Sequence, residues 1–515
     1  MGSTAAIPED PSKNRRVRRF WIAAFVLGVI LVIVPAIPLG VPGEWVWGRH
    51  RLPADIVEFL DRAMLPLISG VMLFAVAAAG MRRATGTKFV REIYWLLMLM
   101  AAGGFWFLSV QQAAPSPHRD LKSLWVNYDR SSSGYFLEAA FEISSVSDFL
   151  RGYEQRTSEG DYLHFGTHPP GLFLLSAAAL TATELSPALT KVVDATCPEM
   201  TRTLFRQLES EVHLKRPLTA SEFSALQLVA ICTMMAPIAT LIPLYFLLRM
   251  LSGARAGWLV CCLFLTAPSP AIFFPKSDVI YPFSATMILW LGVASIEARR
   301  WPARCLAAIS CALMLFLALV TTLAHLPVLV VGVLYAAFRN VRQSRSQWTT
   351  TAVSLVLILL TFAILILSWY RWTNCWLPTV WKLNLRNHAR FYDHSTRTTS
   401  LWLGVNILEL ALSLGIPLFL TAVMNGFHSI RELCVDLFRH RRVPATVNCL
   451  IAACWLTWSI LWLSGKNSGE AARLWCFLLP WITISVPDTP DWKWLLALQL
   501  LGAFVTVGCV NGFSF

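Results

Sequence analysis

Long apolar runs recur along the whole chain, and they constrain its fold more than any other feature. A membrane-spanning helix needs about 20 consecutive, mostly apolar residues, because lipid offers no hydrogen-bond partners to an open backbone. The runs that approach this requirement are 20–41, 61–81, 92–112, 222–250, 255–273, 279–297, 303–321, 323–338, 350–370, 401–424, 447–464, 471–486 and 493–511. The sequence therefore predicts an all-α, polytopic transmembrane helix bundle of about 13 spans.

Composition and charge placement agree with a membrane protein. Hydrophobic residues make up 56% of the 515 residues and charged residues only 14%, too few to coat a soluble protein of this length. A net charge of +13 would otherwise suggest nucleic-acid binding. Here the arginines cluster between apolar runs, as in cytoplasmic loops under the positive-inside rule. These clusters are Arg15, Arg16, Arg18 and Arg19; Arg82 and Arg83; Arg299, Arg300 and Arg304; Arg339, Arg342 and Arg345; Arg439, Arg441 and Arg442. We therefore expect membrane lipids as partners and no nucleic acid.

The order of apolar and polar segments predicts the domain organisation and its sidedness. We expect a cytoplasmic basic tail (1–19), N-terminal transmembrane helices (20–112), an extracytoplasmic loop with amphipathic helices and a re-entrant helix after His-Pro-Pro-Gly (113–221), and a transmembrane bundle with an outer loop at 371–400 (222–515). If the tail is cytoplasmic and the short run after Pro170 does not fully cross, four polar segments share the outer face. They are 113–167, 275–278, 371–400 and 465–473.

Two polar stretches of the first large loop contain candidate catalytic and binding residues. Ionisable groups near a membrane are costly, so those that cluster at helix ends are functional candidates. Asp129 and Glu138 are carboxylates suited to general-base chemistry, although the solvated face of an amphipathic helix would also explain acids here. His164 and His168 flank a turn before Pro169 and Pro170, and histidine can hydrogen-bond a phosphate or shuttle a proton near neutral pH.

Later polar clusters supply charges that suit a substrate-binding role. Lys276 would equally be explained as a lysine that reaches to the membrane interface, and Glu470 with Arg473 as a simple ion pair. The sequence shows no Walker A, Rossmann, H-E-x-x-H or G-x-S-x-G pattern in a suitable context, which disfavours ATP-driven transport and metalloprotease chemistry. The candidate substrate-binding residues of these clusters are Lys276, Asp278, Asn387, Arg397, Glu470 and Arg473.

Four short stretches, taken in order, carry a resemblance to a known superfamily. They read NYDRSSSGYFLEA, HFGTHPPGLFLL, FFPKSD and NSGEAARLWCFLLPW, within a layout that spans roughly residues 90–485. This arrangement resembles the GT-C superfamily of integral membrane glycosyltransferases, and within it the protein mannosyltransferase and aminoarabinose transferase branch. The resemblance implies an inverting transfer of a sugar from a polyprenyl-phosphate carrier to an acceptor on the extracytoplasmic face.

The resemblance also implies roles for individual residues. Asp129 corresponds to the general base of the family, with Glu138 as the substitute because Arg130, and not a second acid, follows Asp129. Asp278 corresponds to the second outer acid, which orients substrate or a metal. The candidates for stabilising the leaving lipid phosphate are Arg473, Lys276 and His168.

The sequence leaves several functional questions open. It identifies neither the sugar nor the acceptor, and it leaves open whether a divalent metal takes part. We expect a multi-pass protein of a bacterial plasma membrane, acting in the cell envelope with its active face outside the cytoplasm. The alternative is a multi-pass transporter or flippase of lipid-linked sugars, although the apolar runs are nearly free of acids and no inverted repeat is evident.

Overall fold

The structure, a computed structural model, describes residues 11–83, 88–161, 165–212, 216–341, 344–438, 445–487 and 489–513. Within these residues the chain is an all-α bundle, as predicted, with only four short strands. Strands β1 (Gly40–Val41) and β2 (Trp45–Val46) form one antiparallel pair, and β3 (Gly48–Arg49) pairs with β4 (Val510–Asn511) in a second. The second pair joins the end of the chain to its N-terminal region.

The helices fall into three groups along the chain. The first comprises α1 (Pro11–Ile33), α2 (Ile56–Arg83) and α3 (Phe89–Val110). The second, between the long apolar helices, comprises α4 (His118–Tyr128), α5 (Tyr135–Phe141), α6 (Val146–Arg151), α7 (Tyr153–Ser158), α8 (Gly171–Leu185), α9 (Pro187–Asp194) and α10 (Glu199–Glu211).

The third group forms the rest of the bundle. It comprises α11 (Ala220–Ala239), α12 (Leu241–Ser252), α13 (Ala254–Phe264), α14 (Pro268–Phe273), α15 (Tyr281–Glu297), α16 (Trp301–Thr321), α17 (Leu326–Asn340), α18 (Arg345–Thr373), α19 (Leu377–His394), α20 (Thr399–Leu414), α21 (Ile416–Phe438), α22 (Thr446–Leu463), α23 (Ala471–Leu474), α24 (Leu479–Thr483) and α25 (Trp492–Cys509). Four 3₁₀ helices, at Gln111–Ala113, Ser277–Ile280, Leu323–His325 and Cys476–Leu478, adjoin these elements.

Nine helical segments of the described chain are long and apolar enough to cross a membrane, and up to eleven if each of two bent pairs counts as one span. The chain is thus a multi-pass membrane protein, but the expected count of about 13 spans is not reached. The nine are Ile56–Arg83, Phe89–Ala113, Ala220–Ser252, Ser277–Glu297, Trp301–Thr321, Leu323–Asn340, Arg345–Thr373, Thr446–Leu463 and Trp492–Cys509.

Four predicted spans differ from the structure for identifiable reasons. The run 255–273 is interrupted where Pro268 begins a new helix, because proline lacks the N–H that a continuous helix needs. The run 401–424 bends by 111° at Gly415, whose φ of +90° suits glycine. The run 471–486 consists of three short helical pieces. The first run leaves the helix after Ile33, and a hairpin follows.

The helix after Pro170 also differs from a simple span. The helices α8 and α9 are bent against each other by 108° at a short break, so together they form either a broken span or a re-entrant loop. Ser186 caps the second helix, since its hydroxyl accepts a hydrogen bond from the Leu189 N–H, and Pro187 occupies the first helical turn. The re-entrant helix expected after Pro170 stays a prediction, because the bent pair fits both alternatives.

Two similar ion pairs join the ends of neighbouring long helices. At one of them, Arg249 Nε lies 2.5 Å from a carboxylate oxygen of Glu92, which also accepts a hydrogen bond from the Tyr245 hydroxyl. Glu297 is bound in the same way by an arginine and a tyrosine spaced four residues apart, Arg339 and Tyr335. Such pairing satisfies carboxylates that would otherwise be costly to bury. The predicted basic residues Arg342, Arg439, Arg441 and Arg442 lie outside the described residues.

Candidate functional site

A cavity of about 510 Å³ lies where segments from distant parts of the chain meet. Loop residues before α5 and before α8 line it, as do the residues between α14 and α15, the end of α19, the segment that enters α23, and the two strand pairs. Its charged and histidine lining residues are His168, Lys276, Asp278, His388, Arg397, Glu470 and Arg473. A membrane protein that gathers this many ionisable groups around one cavity has a candidate functional site there.

Lys276 is a buried cation on the wall of this cavity. Its side chain follows α14 and is only 7% exposed, with Nζ lying 5.7 Å from the centre of the Phe513 ring. None of the described residues forms a hydrogen bond or a close ion pair with its ammonium group. Burial and, to a smaller extent, the positive charge of Arg473 together lower the pKa of Lys276 to about 7. A buried ammonium without a partner favours an anionic ligand.

Arg473 is the second cation of the cavity, and its position depends on a tightly turned segment. Gly469 and Glu470 both adopt left-handed backbone conformations, with φ values of +101° and +55°. The chain then enters the short helix α23, where Arg473 forms an ion pair with Glu470. The Arg473 Nε is buried and has no hydrogen-bond partner among the described residues. The guanidinium group lines the cavity, so its positive charge acts on a ligand bound there.

Two acidic residues act on the same region. Asp278 lines the cavity at the start of the helical segment Ser277–Glu297. Asp129 does not itself line the cavity; its carboxylate accepts hydrogen bonds from the Ser131 hydroxyl and from the Ser132 N–H, the latter at 2.9 Å. Ser131 and Ser132 line the cavity, so the Asp129 carboxylate that they bind lies next to it. The charges of both acids raise the pKa of Lys276 against the effect of burial.

The loop that carries His168 is held by backbone hydrogen bonds from neighbouring side chains. The Tyr153 hydroxyl donates to the carbonyl of His168 at 2.8 Å, and Asn384 Nδ2 donates to the same carbonyl at 3.1 Å. The His168 ring lines the cavity, where Nδ1 lies 3.1 Å from the Thr167 hydroxyl. Because proline residues follow, the loop enters α8 in a fixed direction. His168 is thus well positioned to meet a ligand.

Aromatic side chains and Arg397 form another wall of the cavity. Arg397 lies 6.0 Å from the ring centre of Phe391 and 5.6 Å from that of Trp402, within range of cation–π attraction. Its Nε is buried without a hydrogen-bond partner in the described chain. Tyr392 and Trp45 also line the cavity. Flat aromatic faces beside a cation suit a ligand with both apolar and polar surfaces.

The structure brings six of the ten predicted site residues to this cavity, whereas Asp129, Glu138 and Asn387 do not line it. The six are His168, Lys276, Asp278, Arg397, Glu470 and Arg473, with Asp129 close by. The placement of Glu138 differs from that expected of a substitute base, because its buried carboxylate is paired with Arg156 and does not line the cavity. His164 lies outside the described residues.

Asn387, predicted to bind substrate, instead supports the chain around the His168 loop. It is fully buried, and its Nδ2 donates to the carbonyls of Thr157 at 2.8 Å and Gly166 at 3.0 Å. Its side chain does not line the cavity. An amide so placed satisfies backbone groups that no helix satisfies, which is a structural role.

Several cavity residues are not evident from the sequence. Tyr135, Trp45 and Phe391 look like ordinary core or interface aromatics, and only the fold places them on the cavity wall. Among the described residues no group of three or more histidines, cysteines or acids is arranged to hold a metal ion. The divalent metal that the resemblance leaves open thus has no evident ligand set in the described part of the chain.

Comparison with known proteins does not assign the chain to a family. No protein-family model matches the chain, and no curated protein sequence matches it significantly. The resemblance to membrane glycosyltransferases therefore depends on the four short sequence stretches, and the function has to be argued from the cavity itself.

Proposed function

We propose that this protein is a GT-C type glycosyltransferase that moves a sugar from a polyprenyl-phosphate donor to an acceptor on the extracytoplasmic side of a bacterial plasma membrane. The single observation that carries the proposal is the convergence of Lys276, Arg473 and Asp278 on one cavity in a bundle of apolar helices. A lipid-linked donor requires both features, because its tail partitions into lipid whereas its phosphate needs cations.

Lys276 and Arg473 are the proposed binding groups for the donor phosphate. A charge-assisted hydrogen bond in a partly dry site is stronger than the same bond in water, since the low local dielectric screens it less. The buried ammonium of Lys276 and the guanidinium of Arg473, both on the cavity wall, provide such donors. His168 lies on the same cavity and adds a further hydrogen-bonding group. These groups would stabilise the negative charge that grows on the leaving phosphate.

Asp129 is the proposed general base. Its carboxylate takes the proton from an acceptor hydroxyl while that oxygen bonds to the anomeric carbon of the sugar. The bond between the anomeric carbon and the phosphate oxygen breaks, and the polyprenyl phosphate leaves with the electron pair. Attack opposite the leaving group inverts the anomeric configuration. Hydrogen bonds from Ser131 and Ser132 hold the carboxylate in one orientation.

A transporter or flippase of lipid-linked sugars is the alternative function. Transporters commonly carry ionisable groups near the bilayer midplane, where two structural repeats meet. Glu409 is a buried acid within an apolar helix, but it does not line the cavity and its two oxygens already accept hydrogen bonds from protein N–H groups. This arrangement favours transfer over transport.

Purified protein in liposomes, supplied with radiolabelled polyprenyl-phosphate sugar and an envelope extract as acceptor, distinguishes the two functions. The proposal predicts label transfer that is lost in Asp129→Asn while the variant remains folded. Exchange of labelled donor across the bilayer without any transfer would support the transporter instead.

A further inference from the structure

One buried face of α20 carries three side chains with hydrogen-bonding groups. Trp402, Asn406 and Glu409 follow a spacing of four and three residues, so they project from the same side of the helix. All three are at most 2% exposed, and none of them lines the cavity. An apolar helix that buries a carboxylate needs a specific reason to do so, because an unsatisfied charge there would be costly.

Glu409 connects two walls of the cavity through its two carboxylate oxygens. Oε1 accepts a hydrogen bond from the indole Nε1 of Trp47 at 3.2 Å, and Oε2 accepts one from the backbone N–H of Ala472 at 3.2 Å. Trp47 lies between strands β2 and β3, whose residues line one wall. Ala472 directly precedes Arg473 in α23. One side chain therefore fixes both walls at once.

The other two residues of this face hold the same two segments. Asn406 Nδ2 donates to the backbone carbonyl of Asn467 at 2.6 Å. The Trp402 indole Nε1 donates to a carboxylate oxygen of Glu44 at 2.6 Å, just before β2. The face of α20 is thus hydrogen-bonded to the N-terminal hairpin and to the segment that leads to Arg473.

The segment that leads to Arg473 has a backbone that needs such support. Gly465, Gly469 and Glu470 all have positive φ, and left-handed backbone is unfavourable for a residue with a Cβ such as Glu470. The helix that follows has only four residues, too few to be stable alone. External hydrogen bonds therefore decide where the guanidinium of Arg473 lies.

We propose that Glu409 is a positioning residue for the donor site: by accepting the Ala472 N–H, it sets the place of Arg473 on the cavity wall. This inference rests on the proposed function for its effect on donor binding, but the contact itself can be tested without any ligand. Glu409 touches neither donor nor acceptor in this account.

Glutamine at position 409 gives a sharp test, because it has one side-chain oxygen for two N–H donors. In Glu409→Gln the one remaining oxygen can accept from only one of these donors, and we expect it to face the Trp47 indole, so that the contact with the Ala472 N–H is lost. We expect polyprenyl phosphate to bind about tenfold more weakly to this variant in nanodiscs. Trp47→Phe removes the indole donor and keeps a ring that can pack on Phe273. The double variant Trp47→Phe with Glu409→Gln should therefore recover wild-type affinity to within about threefold.

Hydrogen–deuterium exchange followed by mass spectrometry tests the contact directly. The amides of the peptide around Ala472 should exchange about fivefold faster in Glu409→Gln than in the wild type, and they should be unaffected in the exposed control Glu184→Gln. Unchanged exchange, or no recovery of affinity in the double variant, would overturn the inference. Faster exchange with full donor affinity in both Glu409→Gln and Arg473→Gln would instead contradict the proposed function and leave the positioning role standing.

Discussion

Lys276 and Arg473 place two cationic side chains on the wall of the same cavity, although they belong to distant segments of the chain. Burial, and secondly the charge of Arg473, lower the pKa of Lys276 to about 7. Two like charges held near each other in a buried site raise the affinity for an anion, because the anion relieves both the desolvation and the repulsion.

Donor binding should depend on pH through Lys276. Below about pH 7 the ammonium is charged and binds the single fixed charge of a phosphodiester donor; above it the free protein holds a neutral amine. We expect affinity to be constant at low pH and to fall by up to about tenfold per pH unit above pH 7. In Lys276→Met this pH dependence should disappear, and the affinity should be low throughout. Equilibrium binding of labelled donor from pH 5.5 to 9 measures both curves; a dependence that survives in Lys276→Met would contradict the assignment.

The titration of Lys276 should make the folded protein more stable as the pH rises, whereas it makes donor binding weaker. Its pKa in the folded protein lies below the ordinary value of 10.5, so the unfolded chain binds more protons between about pH 7 and 10.5. Stability therefore rises with pH in that window, as far as Lys276 is concerned. Comparing the thermal unfolding of the wild type and Lys276→Met in detergent at pH 7 and pH 9 checks the sign. The wild type should gain more from the rise in pH than the variant does.

Removing the charge of Asp129 should mainly affect kcat, whereas removing the charge of Asp278 should mainly affect donor affinity. Asp129→Asn should reduce kcat for sugar transfer by about 10²–10⁴-fold with little change in donor affinity, since a general base acts in the transition state. Asp278→Asn should mainly change the affinity for donor, because its carboxylate acts on Lys276 within the cavity. Steady-state kinetics with direct donor binding separate the two, and a reversed pattern would identify Asp278 as the base.

Glu138→Gln should weaken the fold more than the chemistry. The Glu138 carboxylate is buried and paired with Arg156, whose side chain is 33% exposed. Removing the charge leaves an arginine without its partner, and we expect a loss of about 2 kcal/mol in the free energy of unfolding. Thermal unfolding of the purified variant, with the exposed pair member Asp148→Asn as control, measures this loss. A large fall in kcat at unchanged stability would restore Glu138 as a candidate base.

Asn387→Asp should likewise act through stability. Its Nδ2 donates to two backbone carbonyls, and a carboxylate in that position would place an acceptor against acceptors. We expect a loss of about 2–4 kcal/mol in the free energy of unfolding, compared with almost no change for Asp393→Asn on the exposed side of the same helix. A fall in donor affinity without a fall in the melting temperature would point back to a direct binding role.

The sequence predicts the long apolar helices well, because their length and hydropathy depend on neighbouring residues alone. The prediction of a single helix is wrong where a helix ends or bends within an apolar run. The prolines at 268 and 270 were a visible signal against a single helix over 255–273. The bend at Gly415 had a weaker signal, because a glycine in an apolar helix does not by itself indicate a bend. There the packing of Gln499 decides the outcome, since its side chain fills the space that a Cβ would occupy.

Some site residues can be recognised from their neighbours in the sequence, whereas the roles of others depend on partners that are distant in the sequence. Charged residues such as Lys276 and Arg473 are visible in the sequence because they interrupt apolar surroundings. The support provided by Glu409 is not visible, because its partners Trp47 and Ala472 are distant in the sequence. Likewise, nothing in the sequence of α19 shows that Asn387 faces backbone carbonyls and not the cavity. Those roles depend on tertiary contacts that a single sequence does not contain.

Binding of polyprenyl phosphate to the purified protein in nanodiscs tests the central claim most directly. The matched variants are Lys276→Met and Arg473→Gln, alone and combined, with exposed Lys382→Met as the control. We predict saturable binding by the wild type and the control, and a loss of at least about 10²-fold in affinity for the combined variant. Equal affinity for the wild type and the combined variant would contradict the claim that this cavity holds the phosphate of a lipid-linked donor.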